Sequence, residues 1–184
     1  KYELEKTVHD IVFPTKTDSD EIDYNEQNLW LIDERLSFHT FLSSDKPFNT
    51  IRGLETTSTD RPDLLIFNNP FSFIEGDENP FNSVVLVEFK RPMRESYDPE
   101  NDNPIKQIYD YVRKIRNGKQ LIKNGRRYPI NDNTWFYTYL ICDVNDKMKE
   151  FIDSTYIITN NRSDKIHKDD FVSEYNMYHR ARAT

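Results

Sequence analysis

The sequence predicts a mixed α/β domain in which a central sheet is flanked by helices. Residues 83–90 carry apolar side chains on both faces of a strand, which is typical of a strand inside a sheet. Residues 104–117 carry an apolar stripe at helical spacing, and strand-like segments lie before and after them. The resulting order of helix, three strands, helix and strand favours a mixed sheet over an all-β barrel or a helix bundle.

The first segment, residues 1–24, is predicted to be an N-terminal extension made of a short helix and a linker. Its linker continues into an acidic, solvated loop at 18–26. From residue 25 to 42 apolar residues recur at steps of three and four, which predicts the first core helix. The residues that set this period are Leu29, Ile32 and Leu36.

Three strands are expected next. β-branched residues at 50–57 predict the first strand, and the apolar run at 64–67, which follows Pro62 and Asp63, predicts the second. Turn signals at 68–82 indicate a hairpin excursion that leads into the third strand, 83–90.

The second helix has the clearest boundaries in the chain. Asn103 is a good N-cap, Pro104 suits the first helical position, and Gly118 marks the end. The chain is then predicted to form a strand at 135–142 and a helix at 144–153.

A short strand at 156–159 and a closing helix from Lys168 complete the prediction. The core domain is therefore expected to span residues 25–160, and residues 161–184 are expected to form a C-terminal helical extension. We also expect this domain to come from a longer polypeptide, because the chain opens on Lys1 inside a helical pattern.

Composition excludes several classes of protein. A length of 184 residues with 36% hydrophobic and 14% aromatic residues suits one domain with a core. The net charge of -7 argues against a protein that coats nucleic acid or anionic membrane by bulk charge. Cys142 is the single cysteine, so an internal disulfide is excluded, and no apolar run approaches the roughly 20 residues needed to cross a bilayer. We therefore predict a cytoplasmic protein with no membrane partner.

Three charged residues near the ends of two predicted strands are the candidate site. Glu88 and Lys90 project to the same strand face because side chains alternate, and Asp63 lies beside Glu88 if the two strands pair as a hairpin. Converging carboxylates repel each other unless a divalent cation pairs with both, and hard oxygen ligands select Mg²⁺ or Mn²⁺. Phosphodiester hydrolysis is the chemistry that fits.

This arrangement resembles the signature of the PD-(D/E)xK nuclease superfamily. The resemblance rests on Pro62-Asp63 followed by Glu88-Phe89-Lys90 on the next strand, in a chain with the same order of elements. It implies a restriction-endonuclease-like core (αβββαβ) in which Asp63, Glu88 and the backbone carbonyl of Phe89 bind metal. It also implies that Lys90 is the catalytic lysine of a Mg²⁺-dependent deoxyribonuclease.

The second helix adds a motif that is similar to one in the RecB-like and lambda-exonuclease-like branches of that superfamily. Gln107 and Tyr111 are four residues apart, so they share a helix face and can reach the site together. In those branches an acidic residue on the first helix also approaches the metal. Glu34 is the candidate for this ligand here, and Glu26 is the second choice.

A second resemblance concerns a possible parent protein. The strings LWLIDERL at 29–36 and EFKRP at 88–92 resemble the C-terminal region of large bacterial proteins that begin with an Hsp90/histidine-kinase-type ATPase module. This resemblance implies a covalently linked ATPase module and a role in antiviral defence.

Basic residues are concentrated near the candidate site although the chain is acidic. Seven basic residues and no acidic one lie between 113 and 127. The candidate contacts to DNA phosphates are Arg91, Arg94, Arg113, Lys114, Arg116 and Lys119. The alternative for this stretch is a solvated basic loop.

Two further interpretations of the whole domain stay open. One is a catalytically inactive member of the same fold that binds nucleic acid or assists assembly in its parent protein. Association of the domain into a homo-oligomer is open under either interpretation. The other is a protein-interaction domain with no affinity for nucleic acid.

Overall fold

A four-stranded mixed sheet forms the centre of the molecule. The computed structural model describes residues 2–51, 54, 56–68, 83–94, 97–98, 102–117, 134–151, 172–175 and 179–182. Its helices and strands are α1 (Tyr2–Val12), β1 (Phe41–Ser44), β2 (Leu64–Asn68), β3 (Ser83–Phe89), α2 (Pro104–Asn117), β4 (Trp135–Ile141), α3 (146–151), β5 (Val172–Tyr175) and β6 (His179–Arg182). The predicted α/β class with helices flanking a mixed sheet is therefore confirmed.

The strands of the main sheet lie in the order β1-β2-β3-β4. β2 is antiparallel to both β1 and β3, with Leu64 opposite Val87, and β4 runs parallel to β3. A parallel pair needs a long crossover connection, and α2 lies in the chain between β3 and β4. β3 is an interior strand, as its apolar residues on both faces predict.

The two faces of the sheet are covered by different helices. Residues of α1 pack in one apolar cluster with the odd-numbered side chains of β3, whose members are Val85, Val87 and Phe89. Residues of α2 pack in a second cluster with the even-numbered side chains Val84 and Leu86. The end of β3 therefore lies between two helical layers, where side chains from both can meet.

α2 begins where the sequence predicts. Asn103 Oδ1 accepts hydrogen bonds from the backbone N–H groups of Ile105 at 3.0 Å and Lys106 at 3.1 Å, which satisfies two donors that the helix itself leaves unpaired. Pro104 occupies the first helical position, where a missing N–H costs nothing. The predicted stop at Gly118 lies outside the described residues.

The helix predicted over 25–42 is wrong. Three 3-10 turns, Tyr24–Glu26, Leu29–Leu31 and Glu34–Ser37, occupy this stretch. Asp33 accepts a hydrogen bond from the backbone N–H of Arg35, and this local side-chain bond competes with a continuous helix. The helical spacing still describes burial, because Leu29 and Leu36 are in the core.

The residues described within the predicted strand at 50–57, which are 50–51, 54 and 56–57, do not form a strand, and the first strand is β1. Phe48–Thr50 forms a 3-10 turn in which the Thr50 hydroxyl donates to the Pro47 carbonyl at 2.7 Å, so the β propensity of Thr50 is overridden by a local bond. The outer edge of β1 is covered by residues 17–19, since Ser44 N donates to Thr17 O and Ser19 N donates to Leu42 O.

The C-terminal predictions have mixed outcomes. β4 is confirmed, α3 lies inside the predicted helix at 144–153, and the predicted strand at 156–159 falls outside the described residues. The closing helix predicted from Lys168 is wrong in the part of this segment that the structure describes, because β5 and β6 pair there as antiparallel strands. Val172 and Tyr175 are residue types that favour strands over helices.

The N-terminal segment is part of the core. Val12 and Phe13 belong to the same apolar cluster as Leu64 on β2, so the predicted boundary after residue 24 separates α1 from the sheet on which it packs. None of the helices in the described part of the chain is long and apolar enough to cross a lipid bilayer.

Candidate active site

The ends of β2 and β3 bring Asp63 beside Glu88. The antiparallel register that places Leu64 opposite Val87 puts Asp63 opposite Glu88 when it is continued by one residue. Two backbone bonds fix Asp63: Asp45 N donates to its carbonyl at 2.9 Å, and Phe89 N donates to its Oδ2 at 2.6 Å. The hairpin pairing on which the predicted proximity depends is therefore confirmed.

Glu88 and Lys90 form a buried ion pair on the α2 face of the sheet. Lys90 Nζ lies 2.8 Å from Glu88 Oε1, and the two side chains are only 8% and 6% exposed. Lys90 is held beyond the end of β3 because its N–H donates to the Ile141 carbonyl at 2.8 Å. The alternation of side chains along the strand thus places both charges where the sequence predicts.

Gln107 and Tyr111 on α2 extend this pair into a network. Gln107 Oε1 accepts from Lys90 Nζ at 3.0 Å, and Gln107 Nε2 donates to Glu88 Oε1 at 2.9 Å and to the Tyr111 hydroxyl oxygen at 2.6 Å. The Tyr111 hydroxyl donates to the Arg61 carbonyl at 3.3 Å. Their spacing of four residues lets both side chains leave the same face of α2. The chain of bonds therefore links Lys90 to the backbone two residues before Asp63.

Both carboxyl groups are harder to ionise than in water, although Lys90 lies beside them. Burial and the charge of Glu88 raise the pKa of Asp63 to about 8, against the opposing effects of the Phe89 N–H and Lys90. Burial also raises the pKa of Glu88, although Lys90 lowers it in part. Each carboxyl group thus holds its proton more tightly than it does in water.

The free oxygen atoms of these groups suit a hard divalent cation. Glu88 Oε2 is buried and has no hydrogen-bond partner among the described residues, while Lys90 and Gln107 occupy Oε1. A divalent ion would pair with this oxygen and with Asp63 and would reverse the preference for protonation. In the described part of the chain no three His, Cys, Asp or Glu side chains form a metal-binding cluster, so the fit rests on these two carboxylates.

Two residues of α1 that are not among the predicted site residues also reach the site. Glu5 Oε2 accepts a hydrogen bond from Arg91 N at 2.9 Å, and its charge contributes to the raised pKa of Asp63 and of Glu88. His9 Nδ1 lies 3.8 Å from Asp63 Oδ1. A signal existed, because Glu5 and His9 are four residues apart and share a helix face next to apolar positions.

Glu34 and Glu26, the predicted first-helix ligands, are not placed on a helix. Both are exposed on 3-10 turns, and no contact found among the described residues joins either of them to Asp63, Glu88 or Lys90. The turn that carries Glu34 is held at its N-cap residue, since Asp33 binds Arg35 and accepts from the Tyr139 hydroxyl at 2.9 Å. Glu5 is the acidic residue that approaches from the first helix.

Phe89 has its ring on the face opposite to Glu88, stacked on His9 with 5.0 Å between ring centroids. Its backbone N–H is engaged by Asp63. The role of its carbonyl as a metal ligand stays a prediction.

The predicted basic contacts are mostly paired with other side chains. Arg113 lies 3.2 Å from Asp110, Lys114 pairs with Asp60, and Arg94 pairs with Asp102. The remaining predicted residues are Arg116, whose guanidinium lies 4.9 Å from the centroid of the Phe136 ring, Arg91, and Lys119, which falls outside the described residues. Arg113, Lys114 and Arg116 on α2 are exposed.

No family model, curated protein or solved structure matches this chain.

Proposed function

We propose that this domain is a metal-dependent nuclease of the PD-(D/E)xK type that hydrolyses DNA phosphodiester bonds. The observation that carries the proposal is the convergence of Asp63, Glu88 and Lys90 at the end of two paired strands, with one buried carboxylate oxygen of Glu88 left without a partner among the described residues. The order of one helix, three strands, one helix and one strand supports a restriction-endonuclease-like core.

Phosphodiester hydrolysis of this type requires a divalent cation bound by the two carboxylates. A bound Mg²⁺ or Mn²⁺ would supply Lewis acidity toward a phosphate oxygen and toward the attacking water. Asp63 and Glu88 would hold it through Asp63 Oδ1 and Glu88 Oε2, the oxygens that are not engaged by Phe89, Lys90 or Gln107.

Lys90 is the group that can act on the attacking water or on the charge that develops on phosphate. Its ammonium is buried and held by Glu88 Oε1 and Gln107 Oε1, so it is already oriented before substrate arrives. Gln107 touches both members of the ion pair, and Tyr111 holds Gln107. Gln107 and Tyr111 therefore hold the side chains of Lys90 and Glu88 in fixed positions relative to each other.

The proposal is tested by incubating the protein with plasmid and linear DNA in Mg²⁺ or Mn²⁺. Asp63→Asn and Lys90→Ala are each expected to lower hydrolysis by about a hundredfold or more, since each removes a group preorganised for the transition state. Lys106→Ala removes an exposed lysine of α2 and is the matched control, for which hydrolysis should be unchanged. Hydrolysis that persists in the first two variants would contradict the assignment.

A binding-only member of the same fold is the main rival, and metal binding separates the two. A nuclease should take up Mn²⁺ in a calorimetric titration and lose this binding in Asp63→Asn. By resemblance, we also place the domain in a longer, ATPase-linked defence protein, in which ATP binding would control hydrolysis.

A further inference from the structure

β1 presents two adjacent buried serines with different surroundings. Ser44 is fully buried, and its Oγ lies 2.8 Å from His9 Nε2. Ser43 is 2% exposed and lies on the opposite face of the strand, and its Oγ has no hydrogen-bond partner among the described residues. Only Ser44 is therefore connected to the candidate site.

The His9 ring contacts Ser44 and Phe89, and its Nδ1 lies near Asp63. The residue is 3% exposed, Ser44 engages its Nε2, and its ring stacks on Phe89 at an interplanar angle of 26°. The other ring nitrogen, Nδ1, lies 3.8 Å from Asp63 Oδ1. The backbone N–H of Phe89 donates to the other oxygen of Asp63, Oδ2. His9 and Phe89, which both contact the Asp63 carboxyl group, therefore also contact each other through their stacked rings.

The protonation of His9 decides what this contact does. A neutral imidazole ring carries one proton, on either Nδ1 or Nε2. A hydroxyl can donate or accept, and the bond that Nε2 makes fixes which nitrogen holds the proton. If Ser44 donates, the proton lies on Nδ1 and faces Asp63.

We propose that Ser44 and His9 are positioning residues for Asp63. Ser44 donates its hydroxyl proton to His9 Nε2, so that the Nδ1–H dipole faces Oδ1 and steadies the ionised carboxylate beside Glu88. The role of the pair in hydrolysis rests on the proposed function, whereas the proton arrangement itself does not. A nitrogen that lacks a proton would instead direct its lone pair at an anionic oxygen, which is unfavourable.

The arrangement is measured directly by NMR on the full chain with ¹⁵N-labelled histidine, at alkaline pH and in Mg²⁺ near neutral pH. His9 is assigned by the signal lost in His9→Gln. We expect a protonated Nδ1 and an unprotonated Nε2 in both samples. A proton on Nε2, or an unprotonated Nδ1 that shifts on addition of Mg²⁺, would overturn the proposal.

Ser44→Ala and Ser43→Ala form a matched pair of variants, because each removes one buried hydroxyl from the same strand. Ser44→Ala is expected to give a mixture of His9 tautomers and to weaken Mg²⁺ binding, measured by calorimetry, by about tenfold, as is usual when the partner of a site residue is lost. Ser43→Ala should keep the single tautomer and the affinity.

The two proposals fail in different ways. A protein that shows the expected tautomer and Mg²⁺ affinities but does not cut DNA supports the positioning pair and contradicts the nuclease. A protein whose DNA cleavage requires Asp63, but in which Ser44→Ala matches Ser43→Ala in tautomer and in affinity, is a nuclease without the positioning pair.

Discussion

The backbone N–H of Phe89 donates to Asp63 Oδ2 at 2.6 Å and ties the residue before β2 to the end of β3. The bond uses a backbone donor, so it does not depend on the side chain at position 89. It favours the ionised carboxylate, yet burial and the charge of Glu88 outweigh it. Backbone contacts therefore fix the position of the Asp63 carboxyl group, while burial and Glu88 disfavour its ionised form. The disfavoured ionisation can be measured as a pH dependence of stability.

Asp63→Asn is expected to flatten the pH dependence of stability in the metal-free protein. The pKa of Asp63 is raised from its ordinary 3.8 to about 8, so the folded chain keeps a proton that the unfolded chain releases. The contribution of Asp63 to folding is fully present below its unfolded pKa and is lost as the pH rises through its folded pKa. Melting temperatures between about pH 5 and about pH 9 should fall for the wild type and fall less for the variant.

The matched control for this experiment is Asp23→Asn, which removes a carboxylate from an exposed position. Its melting curve should follow the wild type at every pH. A wild-type melting temperature that rises from acid to alkaline pH in step with that of Asp63→Asn would show that the pKa of Asp63 is not raised.

Lys90→Met is expected to destabilise the protein by about 3 kcal/mol, because it leaves Glu88 buried without its cation. Glu88 and Lys90 are each less than a tenth exposed, so solvent cannot replace the lost partner. The double variant Glu88→Gln/Lys90→Met should recover most of this loss, since it removes both charges. Urea unfolding of the wild type, Glu88→Gln, Lys90→Met and the double variant measures the coupling energy between the two side chains. Equal losses in the single and the double variant would mean that the ion pair contributes nothing to the site.

The composition of the site on the α2 face follows from local rules. The period of two along β3 puts Glu88 and Lys90 together, and the spacing of four along α2 does the same for Gln107 and Tyr111. Pairing of neighbouring strands adds Asp63. Each step joins residues that are close in sequence or in adjacent strands, so the pattern of residue types is enough to predict it.

The contacts that α1 makes with the site could not be predicted from local spacing. Glu5 meets Arg91 across 86 positions of the chain, and no local period reports which helix covers which face of a sheet. The stretch that holds Leu29 and Leu36 shows a helical period but folds as 3-10 turns, since the Asp33 side chain bonds locally. The helical period in the sequence therefore predicts Glu34 as the acidic residue of the first helix, whereas Glu5 on α1 is the one that reaches the site.

Tyr111→Phe is expected to lower stability by about 1 kcal/mol and to reduce DNA hydrolysis. The ring keeps its edge-to-face contact with Phe48, at 5.5 Å between centroids, while the hydroxyl that joins Gln107 to the Arg61 carbonyl is lost. Urea unfolding and cleavage assays measure the two effects. Tyr137→Phe, at a half-exposed position of β4, is the control and should change neither. A Tyr111→Phe protein with full activity would show that Gln107 needs no support from Tyr111.

Asn103→Ala tests whether the start of α2 supports the site that this helix carries. Asn103 accepts two backbone N–H bonds at the start of α2, and Gln107 lies four residues later, with its N–H bonded to the Asn103 carbonyl at 3.0 Å. Loss of the cap should cost about 1 kcal/mol in urea unfolding, and Asn103→Asp, which keeps an acceptor, should cost much less. Because fraying of the first turn would loosen Gln107 from Glu88 and Lys90, cleavage should fall in Asn103→Ala and be retained in Asn103→Asp. Equal cleavage by both variants would show that Gln107 is held by the buried ion pair and not by the end of the helix.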